Sequence, residues 1–223
     1  MIKSLFYKEW LKTRGALFFI ILVYTCFTLY DFLAIGKNAQ IRGYEFLWTL
    51  TAQKDMALVD NMKLLPVFAA ALLALSQYAP EMQGKRLKLS LHLPFPQRGT
   101  IALMLLWGTF SLLLAFAFQA LALILFLQKF LVWELTGRIL FAALTWNAAG
   151  IATYVWTAAI CLEPSWRMRF FLLPLAAACV SAFYLSSSVS AYVQGLFPLF
   201  IFCALAALVL PFLSVARFCE GKG

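Results

Sequence analysis

The residues able to do chemistry in this 223-residue chain are few and scattered. His92 is the only histidine, so a bis-histidine haem cannot be ligated from one chain, and it reads as a solvated loop residue. There is no H-E-x-x-H, no G-x-S-x-G and no aspartate pair within an apolar stretch, so the usual hydrolase constellations are missing. No G-x-x-x-x-G-K-[ST] occurs either, so the chain cannot hydrolyse ATP through a P-loop of its own. The five cysteines, Cys26, Cys161, Cys179, Cys203 and Cys219, form no C-x-x-C pair. Four of them lie in or beside apolar stretches, as small buried hydrophobes do, and nothing suggests a disulfide framework, a zinc site or another cofactor. What remains is milder polarity within apolar sequence: Gln119, Thr145, Asn147, Thr153, Thr157 and the serines at 186–188. Each of these can bridge helices, at about 0.6–2 kcal/mol. Gln119 and Asn147 are the two candidates for contact with a transported substrate. No ionisable group falls at the middle of an apolar stretch, which argues against proton-coupled transport.

The elements that must position these residues follow from composition. The chain is 64% hydrophobic and 12% charged, with 17% aromatic residues. A soluble chain is about 45–50% apolar and about 25% charged. A single soluble domain is therefore excluded, as is a disordered or fibrous chain. Charge-free stretches run over 15–30, 64–80, 99–128, 139–162 and 170–216. A span needs about 20 apolar residues, and the last stretch is long enough for two, with SSSVS at 186–190 as the turn between them. The expected fold is an all-α polytopic membrane protein with six transmembrane helices, over 15–35, 60–79, 100–127, 139–161, 170–188 and 195–216. With the N-terminus inside, twelve of the eighteen Lys and Arg fall in inner segments, so N-in/C-in is the expected topology. The net charge of +9 is then an orientation signal and not a nucleic-acid footprint. The basic start, the apolar run and Ala34-Ile35-Gly36 loosely fit a cleaved leader. The length of such a leader, and Asp31 directly after its apolar core, count against cleavage.

Two segments carry more information than spanning requires. In MIKSLFYKEWLKTR (1–14), Ile2, Leu5, Phe6 and Trp10 recur at helical spacing, and Lys3, Lys8, Lys12 and Arg14 lie mostly elsewhere. That pattern predicts an amphipathic helix in the membrane interface, or a basic anchor that fixes orientation. The inner loop PEMQGKRLKLSLHLPFPQRG places Glu81, Gly84, Lys85, Arg86 and Lys88 beside Leu87, Leu89, Leu91 and Leu93, before Pro94 and Pro96. A short helix over 81–93 would dock a cytoplasmic partner or lie on anionic lipid, and Pro94-Phe95-Pro96 would end it. The outer loop 36–63 is apolar and aromatic at 41–50, IRGYEFLWTL, and reads as a lid over the second span or as a short interfacial or re-entrant helix.

At that inner loop the chain resembles the ABC-2-type transporter permeases. Glu81, Gly84, Leu89, Leu91, Leu93-Pro94 and Arg98 look like that family's coupling helix, and FYKEWLKTR, with Lys8, Glu9, Trp10 and Arg14, resembles its elbow helix. The resemblance implies one permease subunit, paired with an identical or related second permease subunit and with separate ABC ATPase subunits that carry ATP and magnesium. Glu81, Gly84, Lys85, Arg86, Leu89, Leu91 and Pro94 would couple it to the ATPase. The implied location is the cell membrane, in a bacterium the inner membrane, and the implied activity is mostly export of lipophilic, glycan or peptide cargo. Two other readings remain open: a non-transporting accessory or scaffold subunit, and an intramembrane enzyme acting through Glu81 or His92.

Overall fold

The computed structural model describes residues 2–43, 45, 48–49, 51, 58–82, 97–185 and 209–217. Its elements are α1 (Ile2–Arg42), a 3-10 turn (Asp60–Met62), α2 (Leu65–Met82), α3 (Gln97–Leu127), α4 (Trp133–Leu162), α5 (Trp166–Ser181) and a second 3-10 turn (Ala182–Tyr184). A further helical segment covers 209–217, and no strand occurs among the described residues. Among the described residues five helices are long and apolar enough to cross a membrane, which is the architecture of a multi-pass helical membrane protein. The loop between the fifth and sixth expected spans, and most of the sixth, lie outside the described residues, as does much of 41–57.

The helices pack as an up-and-down bundle. Trp107 meets Thr13, Phe116 meets Tyr24 and Phe126 meets Phe32, so α1 and α3 run parallel. Gln77 meets Glu9 and Asn61 meets Asp31, so α2 runs antiparallel to α1. Among the described elements the most extensive contact is between α2 and α4. It is lined by small residues, Ala69, Ala70 and Ala74 on one side and Ala149, Gly150 and Ala158 on the other. Small side chains let helix backbones approach without a hydrophobic driving force between them. A Cβ on Gly150 would lie 2.9 Å from the backbone oxygen of Pro66. Large apolar side chains cover the outside, including Phe18, Phe170 and Leu33, each more than 70% exposed.

The first helix joins two segments that the sequence treats separately. The expected interfacial helix over 1–14 and span over 15–35 lie in one helix, α1, unbroken for 41 residues. That is about 60 Å, twice the thickness of the hydrocarbon layer. The reason lies in Glu9 and Thr13, which are buried against the neighbouring helices and draw the first third of α1 into the bundle. The helix stops at Gly43, whose φ of +81° suits glycine and whose N–H bonds Ala39 O at 3.1 Å.

Candidate functional site: a buried ionic cluster

α1 and α3 begin, and α2 and α4 end, at the same end of the bundle, and their polar side chains converge there. The Lys12 ammonium donates to Glu9 Oε1 at 2.8 Å and to Glu81 Oε1. Lys8 Nζ lies 2.8 Å from the same Glu81 oxygen. The other Glu9 oxygen accepts from Gln77 Nε2 at 2.9 Å, and that amide also donates to Met104 O at 2.8 Å. Tyr154 donates its hydroxyl proton to Gln77 Oε1 at 2.7 Å. Its proton being committed there, the 3.1 Å contact between the two tyrosine hydroxyls has Tyr78 as donor. Thr13 donates to Glu9 O at 2.8 Å and accepts from Trp107 Nε1 at 3.1 Å.

Two carboxylates and two ammonium groups make the cluster electrically neutral, and Glu9, Gln77, Tyr78, Glu81 and Tyr154 are all buried. A buried charge persists only when paired and hydrogen-bonded, and here every carboxylate is. The result is a polar tie joining four helices. It also fixes a close approach, since a Cβ on Gly108 would fall 1.9 Å from the Tyr154 hydroxyl.

A second tie closes the same end of the bundle. Glu163, directly after α4, is 1% exposed. Its carboxylate accepts from Ser214 Oγ at 2.7 Å and lies 3.4 Å from Arg217 Nη1, which anchors the segment 209–217. Arg169 Nε donates to the Glu163 carbonyl at 2.7 Å and stacks over Trp166. At the opposite end Asn61 donates to Asp31 Oδ1 at 2.9 Å, with Asp31 1% exposed. Among the described residues Asp31 Oδ2 and Gln119 Oε1 have no hydrogen-bond partner.

Of the residues singled out from sequence, Lys8, Glu9 and Glu81 come together in the first cluster. Glu81, expected to take part in ATPase coupling, is 2% exposed and is paired with Lys8 and Lys12 of α1. Trp10 packs edge-on to Trp107, with centroids 6.2 Å apart, and Arg14 is exposed one turn further along. Gln119 is buried and donates to Met62 Sδ at 3.0 Å, whereas Asn147 is half-buried on α4, and no hydrogen bond joins the two. Gly84, Lys85, Arg86, Leu89, Leu91, His92 and Pro94 lie outside the described residues. Sequence reading missed Lys12, Gln77, Tyr78, Tyr154, Glu163 and the buried state of Asp31. The signal for Gln77 was its place four residues before Glu81, on the same face of an apolar helix. No family model, no curated protein and no solved structure matches the chain.

Proposed function

We propose that the chain is the transmembrane permease subunit of an ATP-driven exporter of the ABC-2 type, both termini on the cytoplasmic side of a bacterial inner membrane. Separate ATPase subunits would bind ATP and magnesium, and a second permease subunit, identical or related, would complete the pathway. The observation that carries this reading is the pairing of Lys8 and Lys12 with Glu81. It joins the segment that resembles an elbow helix to the residue that opens the segment resembling a coupling helix. A push on residues 81–93 from a closing ATPase would pass through Glu81 to α1, and through Gln77 and Tyr154 to α3 and α4. The helices would rock as connected bodies between two arrangements.

A second reading, an accessory subunit that conducts nothing, is favoured by the cluster being neutral and internally satisfied, as a purely structural tie is. Gentle detergent extraction of the tagged chain, with mass spectrometry of what accompanies it, separates the two. A P-loop ATPase at about one-to-one stoichiometry supports the permease, and a folded preparation without one supports the accessory subunit. In the reconstituted complex Gly84→Pro is expected to abolish cargo-coupled ATP turnover while leaving membrane insertion intact. Wild-type turnover in that variant would remove the role assigned to the loop.

A further inference from the structure

α1 and α3 leave an open apolar groove between them, with a volume of about 780 Å³. That volume is in the range of sites for small organic ligands. Trp10, Arg14 and Phe18 follow one another along α1 at four-residue spacing and so share one face. Across from them Trp107, Leu114 and Phe118 line α3. Beyond Trp10 and Arg14, the polar side-chain groups of the described wall are already engaged. Ser111 donates to Trp107 O at 2.9 Å, and the Trp107 indole N–H is turned inward to Thr13. Gly15 helps to create the space, since a Cβ built there meets nothing within 4 Å.

Among the described residues the one charge lining the groove is Arg14, near its N-terminal end. It is exposed and pairs with no acidic group among the described residues. From Trp107 to Phe118 the groove runs about 16 Å along α3. Half of a 30 Å hydrocarbon layer is about 15 Å, the depth of a single leaflet. Trp10 and Trp107 sit at the cationic end, where tryptophans mark headgroup depth.

We propose that this groove is a binding site for one anionic phospholipid, with an acyl chain between α1 and α3 and the phosphate at Arg14. Length, apolar wall and a lone cation at the headgroup end together specify an amphiphile with a negative head. Lys and Arg distribution puts that end at the cytoplasmic leaflet, where anionic lipids are enriched. The site does not depend on the transport reading, because a resident lipid would fill the same groove in a scaffold.

The test is native mass spectrometry of the full chain in mild detergent, titrated with phosphatidylglycerol or with phosphatidylcholine of the same chains. Wild type is expected to retain one phosphatidylglycerol, about fivefold in preference to phosphatidylcholine. Arg14→Gln should bring that preference close to one. Gly15→Leu should lower retention of both lipids by filling the groove, and it installs a better helix former, so loss of binding cannot be blamed on a weakened α1. Leu125→Trp, on an exposed part of α3 outside the groove, should bind as wild type does. An unchanged headgroup preference in Arg14→Gln, or unchanged retention in Gly15→Leu, overturns the proposal. So does efficient crosslinking of Phe18→Cys between two chains in excess lipid, which would show a second copy covering the groove.

Discussion

Glu81 shows how one carboxylate can organise the end of a bundle. It receives Lys8 and Lys12 from α1, and Lys12 in turn holds Glu9, which holds Gln77. Glu81→Gln leaves one ammonium in excess, and Lys12→Met leaves one carboxylate in excess. Each single change is expected to destabilise the detergent-solubilised chain by about 1–3 kcal/mol, because it removes a charged partner from a largely buried cluster whose other contacts remain. The double variant restores neutrality, so its loss should fall short of the sum of the singles by at least about 1 kcal/mol. Thermal unfolding of the four species measures this, and strict additivity would mean that the two groups do not interact. Gly108 tests the other side of the cluster. Gly108→Ala must displace a tyrosine that is fully buried and hydrogen-bonded, which should destabilise by about 1–3 kcal/mol, again read by thermal unfolding. None of this partnering was legible in the sequence. Periodicity places Glu9 with Lys12 and Gln77 with Glu81 on helix faces, but it carries no information on which faces meet.

Among the elements, the helices were legible where they are apolar and much less so at their ends. α3 was expected over 100–127 and runs over Gln97–Leu127, because a charge-free stretch and a helix coincide there. α4 was expected from 139 and starts at Trp133, since Glu134 and Arg138 end the apolar run without ending the helix. Glu134 in the first turn even complements the helix dipole. α1 was less legible, because a separate interfacial helix and a continuous one share a hydrophobic pattern. Burial of Glu9 and Thr13 decides between them, and burial is a property of the bundle. The same holds for Glu163, which falls between the spans expected over 139–161 and 170–188 and anchors 209–217. Glu163→Ala removes the acceptor of Ser214 and the counter-charge of Arg217 while sparing the backbone carbonyl that Arg169 uses. Hydrogen exchange in 209–217 should then rise about tenfold, with that in α5 unchanged. An unchanged rate in 209–217 would mean that packing alone holds the segment.

For the molecule as a whole, alternation of the helices means that any one loop fixes the side of all the others. Lys3 and Arg167 lie at the end of the bundle that carries both ionic ties, and Lys129, after α3, lies at the other end. All three side chains are exposed. The bias of twelve basic residues against six survives the loss of any one, so single cysteine replacements report orientation without resetting it. In a background with Cys26, Cys161, Cys179, Cys203 and Cys219 replaced by alanine, a membrane-impermeant maleimide should label Lys129→Cys in intact cells. Lys3→Cys and Arg167→Cys should label only after permeabilisation. The reverse result would put the ionic cluster and the segment after Glu81 on the outer face. No ATPase could then reach them, and the transporter reading would fail while the fold stood. Labelling of Lys3→Cys and Lys129→Cys from one side would instead contradict the alternation itself. That alternation rests on aromatic and hydrogen-bonded pairs at both ends of the bundle, from Trp107 with Thr13 to Phe126 with Phe32. The labelling pattern therefore tests the packing of the helices separately from their direction, and only the direction bears on ATP.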